Sequence, residues 1–350
     1  MTGSGRRRAT ISQVAEEANV ARSTVSRAFT QPERLSDETV KHVLEVANRL
    51  GYTPNPVAQA LSTGQSKNIA LIVPDVANPF FPPLIQAAQR KAEEYDYCVF
   101  LGDSDEQPER ENQLVERFTH QVAGLILVSS RLSEAQVREH ARRRPLVLVN
   151  QDFPEMLRVL INSGAGVAQA VEHLAELGHR HIVYLSGPAT SWANRQRRTA
   201  LRQAAKHHGI EVSAVAAHKP THEAGRGSAH QILATGATAA FAFDDLLAQG
   251  LLAGLADAGI SVPRQFSVIG CDDVLGATTY PPLTTVSNRC VEVAEIAVSL
   301  LMDALRTRAA SDVRHVLDTH LVIRGTTAAP NPALHRRPAG REGQVVQRSN

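Results

Sequence analysis

Arg22, Ser23, Ser26 and Arg27 fall within six residues of one another, while Val25 and Ala28 supply the apolar side of the same segment. Guanidinium and hydroxyl groups on one short polar face can donate to the phosphates and base edges of a duplex. They can equally form a solvated surface, and the segment alone leaves both readings open. Other chemistry-bearing spacings are less complete. His179 with His181, His207 with His208, and His218 with His222 invite a metal reading. None combines i,i+4 spacing with a carboxylate partner on a convincing helix, so surface or capping roles are expected. Gly164-Ala-Gly166 is two-thirds of a dinucleotide fingerprint, but the third small position holds Gln169 and no ribose-binding acid follows. There is no Gly-x-Ser-x-Gly elbow, no P-loop lysine motif and no His-Glu-x-x-His pair. No catalytic constellation stands, so neither an enzyme nor a metal nor a cofactor is expected.

The polar face depends on three short helices. Thr10-Ile-Ser-Gln13 forms a capping box, and Ile11, Val14, Ala15 and Ala18 follow on one face. Asn19 suits the left-handed turn that ends this helix. A second helix runs from Arg22 to Phe29. It is too short to persist alone in water and must be held by neighbours. Ser36 can cap a third helix, Asp37 and Glu38 suit its dipole, and Gly51 stops it. Its expected core face is Val40, Val43, Leu44, Ala47 and Leu50. Helix, tight turn, helix and supporting helix make a helix-turn-helix unit. Residues 1–67 carry nine Lys/Arg and six Asp/Glu, a local charge of +3.

Beyond Asn68 short apolar runs alternate with amphipathic helical stretches. The runs are Ile69–Val73, Cys98–Leu101, Leu125–Val128, Leu146–Val149, Ile182–Leu185, Ala239–Phe243 and Ser267–Ile269. Strands alternating with helices imply parallel sheets covered on both faces. About 260 residues exceed one comfortable sheet, so two doubly wound subdomains are expected. The whole chain has 350 residues, is 43% hydrophobic and carries a net charge of only +2, so any nucleic-acid contact must be local. Cys98, Cys271 and Cys290 are too few and too scattered for a disulfide framework, which points to a reduced, cytoplasmic setting. No apolar run follows the arginines at 6–8, and no segment approaches the roughly 20 residues of a membrane span.

Thr10 to Arg27 (TISQVAEEANVARSTVSR), followed by Gly51 to Leu61 (GYTPNPVAQAL), resembles the DNA-binding head and hinge helix of the lac-repressor/galactose-repressor (LacI/GalR) family. The resemblance implies sequence-specific binding of a pseudo-palindromic operator by a homodimer or tetramer. Thr10, Arg22, Ser23, Thr24, Ser26 and Arg27 are the implied contacts of the head, and Arg22 is the residue whose fork best matches guanine O6 and N7. Asn55, Val57, Ala58 and Leu61 belong to the implied hinge helix, with Leu61 wedging into the minor groove. The alternative for Leu61 is an ordinary core leucine. Two departures stand out: Asn19 where the family usually has Gly, and Ala21 where it has Ser. Ala21 cannot cap the second helix, at a cost of about 1 kcal/mol.

The resemblance continues to about Arg324 through DVANPFF at 75–81, EHLAELGHRHI at 172–182, FDDLLAQG at 243–250, VIGCDD at 268–273 and PPLTTV at 281–286. It implies a periplasmic-binding-protein-like core of two lobes that hold a small-molecule effector, a sugar or related polyol, between them. The implied organisation is a disordered arm at 1–9, a head at 10–54, a hinge helix and linker at 55–66, a core at 67–326 and a disordered tail at 327–350. One lobe spans about 67–161 and 289–321, the other about 162–288 and 322–326. Effector candidates are Asn78, Phe80, Phe81, Asn150 with Gln151, Trp192 on a loop, Arg197, Asp244 and Asp272. Each has a plainer alternative: core packing for the phenylalanines, helix capping for Asp244 or Asp245, a turn for Asp272 and Asp273, a surface ion pair for Arg197. The chain has Asn150-Gln151 where sugar-binding relatives often have Asp-Arg, Asp244 where they have Asn, and Asp96 where a Gly is familiar. Competing functions are a plain solute-binding protein and a sugar-active enzyme, neither binding DNA.

Overall fold

The computed structural model describes residues 9–53, 66–287, 289–307 and 312–331. The chain divides into two compact units, Met1–Lys67 and Asn68–Asn350.

In the first unit, α1 (Ile11–Glu17) begins with the capping box. Thr10 N donates to Gln13 Oε1 at 2.9 Å, and Gln13 N donates to Thr10 Oγ1. Asn19 then turns the chain at φ 51°, a conformation Asn tolerates better than most residues. α2 (Arg22–Thr30) starts at Ala21 with no side-chain cap, so its first N–H groups lack the acceptor a serine would provide. α3 (Asp37–Leu50) is capped by Ser36 and ends at Gly51 with φ 66°. Val14, Val25 and Val43, one from each helix, are fully buried together. Each contributes about 1.5–3 kcal/mol, which holds the short α2 in place. The buried stripe of α3 is Val43, Val46 and Ala47, whereas Val40, Leu44 and Leu50 are only half-buried. The helix packs against both α1 and α2, which shifts its inward face from the expected one.

The second unit contains, in chain order, β1 (Asn68–Val73), α4 (Phe81–Glu93), β2 (Cys98–Asp103), α5 (Pro108–Thr119), β3 (Gly124–Val128), α6 (Glu134–Arg143), β4 (Leu146–Val149) and β5 (Leu157–Asn162). Then follow α7 (Ser163–Glu176), β6 (His181–Ser186), α8 (Trp192–His208), β7 (Glu211–Ala216), α9 (His222–Gly227), α10 (Ala229–Ala234), β8 (Ala239–Ala242), α11 (Asp245–Asp257) and β9 (Ser267–Asp272). β10 (Thr284–Ser287), α12 (Cys290–Thr307), β11 (Arg314–Asp318) and β12 (His320–Val322) close the fold. Two six-stranded sheets result, ordered β11-β5-β4-β3-β1-β2 and β12-β10-β9-β8-β6-β7. The pairings are parallel except that β12 runs antiparallel to β10. Helices cover these sheets on both faces, as two doubly wound lobes require.

The chain passes between the lobes after β5, after β10 and after β11. Gly166 sits where these passages meet. A Cβ there would come within 2.4 Å of Val286 Cγ1 and 2.6 Å of Thr319 Oγ1. Close packing of α7 on the crossing strands accounts for Gly166, while Gly164 N donates to the capping Asn162 Oδ1 at 3.1 Å. β12 belongs to the second sheet, so residues 320–321 lie in the other lobe from the one expected. Residues 327–328 are built into that lobe as well: His173 Nε2 meets Thr327 Oγ1 at 2.9 Å, and the Ala328 carbonyl lies 3.0 Å from His179 Nε2. His179 is buried rather than on the surface. No described helix is long and apolar enough to cross a membrane, and the described residues hold no cluster of three or more metal-ligating side chains.

Candidate nucleic-acid face and ligand cleft

On the head, Arg22, Ser23 and Arg27 are exposed, as is Thr10; Thr24 and Ser26 are half-buried. Neither arginine has an acidic partner among the described residues, so both guanidiniums keep their donors available. The uncapped N-terminus of α2 leaves backbone donors beside Arg22, while Arg27 lies in the last turn of the helix. Asn55, Val57, Ala58 and Leu61 lie outside the described residues.

In the core, parallel strands of both lobes end at one cleft of about 420 Å³ including its open mouth. This is where open α/β sheets place ligands. Asn78, Phe80, Phe81 and Asn150 line it from the first lobe, and Arg197, Asp244 and Asp272 from the second. Asn150 takes φ 55°, and its Oδ1 accepts from Ile161 N at 3.0 Å. Phe80 and Phe81 meet edge to face and serve the core as well as the cleft. Gln151 is buried but does not line the cleft.

Arg197 organises the second lobe. It is buried on α8, donates to Asp272 Oδ1 at 3.0 Å and to the Phe243 carbonyl, and lies 4.9 Å from the centre of the Phe243 ring. It is therefore a buried pair in the cleft, not a surface one. Asp272 sits at the end of β9 with φ 122°, a conformation that L residues rarely adopt. Asp244 does two things at once. Its Oδ1 accepts from Leu247 N at 2.8 Å and caps α11, while its Oδ2 accepts from Asn78 Nδ2 at 2.9 Å across the lobes. Asp245 is the purely structural neighbour, bound by Thr285 Oγ1 and the Val274 and Leu275 amides.

Trp192 is corrected by the structure. It opens α8 instead of lying on a loop, is half-buried, and does not line the cleft. Ala193 and Arg197, four residues apart, share the helix face that does. Five further lining groups with clear chemistry were not foreseen: Glu106, Ser129, Arg131, Ser191 and Phe243. Glu106, Ser129, Arg131 and Phe243 each follow a strand, so applying the strand-end rule to every strand would have found them.

Burial pushes the Asp244 carboxyl up to about 7, against the opposing effect of its hydrogen bonds to Leu247 and Asn78. The folded protein thus keeps a proton that the unfolded chain releases near its ordinary value of 3.8. The stability this proton confers is complete below that ordinary value and is lost as pH rises through about 7. Asp244→Asn retains an acceptor for the cap and cannot ionise. Melting curves from about pH 5 to about pH 8 are expected to show the wild type losing ground to Asp244→Asn as pH rises. A difference that does not change with pH would mean that Asp244 titrates as an ordinary carboxylate.

A two-lobed α/β receptor with its ligand cleft at the strand ends, joined in one chain to a helix-turn-helix head, defines a ligand-responsive DNA-binding class. The comparisons agree with that class. Residues 10–55 match the family of bacterial regulatory proteins of the lacI type, and residues 171–327 match the periplasmic binding protein-like domain. The chain is 32% identical over 330 residues to the HTH-type transcriptional repressor CytR of Escherichia coli K12, covering 92% of this chain and 97% of that one. It superposes on a lac repressor dimer bound to operator and the anti-inducer ONPF with a TM-score of 0.82 at 26% identity, over 92% of this chain and 100% of that one. A LacI-family regulator from Enterococcus faecium with bound ribose gives a TM-score of 0.69 at 25% identity, over 75% of this chain and 100% of that one. The chain belongs to the LacI family of bacterial regulatory proteins. It is a DNA-binding transcriptional regulator, and its relatives are regulators, not enzymes.

Proposed function

We propose that this chain is an operator-binding repressor of the cytoplasm, acting as a homodimer and released or tightened by a sugar or related polyol bound in the core cleft. The observation that carries the reading is the buried set of Arg197, Asp272, Asp244 and Asn78, drawn from both lobes to one point. Planar donors and acceptors beside aromatic faces are what hold a polyol. A ligand contacting both lobes favours one lobe arrangement over another, which is how binding in the core can change operator affinity. Arg22 and Ser23 read base edges while Thr10, Thr24, Ser26 and Arg27 add phosphate and base contacts. Asn55, Val57, Ala58 and Leu61 form the hinge contacts, with Leu61 as the minor-groove wedge.

Binding of the full chain to fragments of its source genome, followed by fluorescence anisotropy against salt, tests the DNA half of this reading. Six to ten phosphate contacts per dimer predict a loss of about 10³–10⁵ in affinity between 50 and 200 mM salt. A solute-binding protein or sugar-active enzyme would bind no fragment in this way.

A further inference from the structure

The cleft contains more charge than a polyol site needs, and each of its cations is matched by a carboxylate. In the first lobe Arg131 Nε donates to Glu106 Oε2 at 2.6 Å and its Nη1 to the Ser129 carbonyl at 2.6 Å, with the side chain 4% exposed. Its backbone N–H meets Glu111 Oε2 at 2.7 Å. In the second lobe Arg197 is matched by Asp272 at 3.0 Å. The remaining carboxyl, Asp244, is held by Asn78 and the α11 amide. Two cations thus face three carboxyls, and both cations are spent. The helix ends that could greet an anion are closed too: Ser191 caps α8 by accepting from Asn194 N, Asp244 caps α11, and α4, which has no side-chain cap, opens with Phe81 N bonded to the Asn78 carbonyl and with Pro82 and Pro83, which carry no N–H. At the rim, Lys219 of the second lobe is bridged to Asp105 of the first at 3.4 Å.

Resting on the reading of this cleft as the effector site, we infer that it selects an uncharged, hydroxyl-bearing ligand and rejects the phosphorylated or carboxylated form of the same molecule, with the Glu106–Arg131 pair as a determinant of that choice. A hydroxyl can donate to Glu106 or Asp272 and accept from a guanidinium N–H without disturbing either pair. A phosphate must give up its hydration, and it finds no cation without a carboxylate beside it. Burial that raises the Asp244 carboxyl toward neutrality fits the same pattern: the site tolerates no surplus charge of its own.

Thermal-shift and calorimetric titrations of the full chain with matched pairs test this: ribose and ribose 5-phosphate, glucose and glucose 6-phosphate, and the four ribonucleosides with their 5′-monophosphates. The expected result is that a neutral member binds and its phosphorylated partner binds at least about tenfold more weakly. Glu106→Gln leaves Arg131 without its counter-charge and is expected to narrow or reverse that gap. A phosphorylated compound that binds the wild type as tightly as its neutral partner overturns the charge selection while leaving the cleft as the effector site. The absence of any binding, in wild type and Glu106→Gln alike, overturns the effector-site reading itself. The comparison within the wild type stands whether or not the variant folds.

Discussion

Arg197→Ala yields a protein that still binds its operator but no longer responds to effector, and that melts well below the wild type. The substitution removes the partner of Asp272, the donor to the Phe243 carbonyl and the cation over the Phe243 ring in one step. It leaves a buried carboxylate without its counter-charge, a change that costs about 3–5 kcal/mol. That loss falls in the core. Val14, Val25 and Val43 hold the head together without any part of the cleft. Arg197→Lys separates charge from shape: an ammonium keeps the charge but cannot reproduce the planar fork that reaches Asp272 and the carbonyl together. It should recover part of the stability and little of the response. Anisotropy with and without effector, alongside melting curves, checks both halves. A retained response in Arg197→Ala places the ligand elsewhere in the core.

Arg22→Ala is expected to relax base preference at one operator position, costing about 1–3 kcal/mol against the correct sequence. Binding to random duplex should fall much less, because phosphate contacts carry no sequence information. Arg22 is exposed, lacks an acidic partner among the described residues and opens a helix that has no side-chain cap, so nothing in the fold of the head depends on it. The fold should therefore be unchanged by circular dichroism. Equal weakening on specific and random duplexes would make Arg22 a phosphate contact only.

The head was largely legible because its signals are local. The Thr10–Gln13 box, the turn at Asn19, the cap at Ser36 and the stop at Gly51 each depend on a few neighbouring residues. What the local pattern misjudged was the exact inward face of α3, which two packing partners set jointly. In the core the central strands announce themselves as continuous apolar runs, since parallel strands are buried on both faces. β7 and β11 are edge strands with one buried residue each and lack that signature. β5 is interrupted by Arg158, which Asp152 and Asp312 neutralise within the fold. In the cleft, Asn78, Phe80, Phe81, Asn150, Arg197, Asp244 and Asp272 all reach one cavity. Trp192 misses it by one helical position. Arg131 and Glu106 were missed because a charged residue after a strand looks like an ordinary loop residue until its buried partner is known.

In the proposed mechanism, what the core binds changes what the head holds. Its most direct measurement is the affinity of the full chain for a selected operator duplex, titrated with and without a saturating compound that calorimetry shows to bind the core. The predicted result is a shift of about 5–150-fold in operator affinity, with a reciprocal shift of the same factor in effector affinity when operator is added first. Identical operator affinity in the two titrations would contradict it.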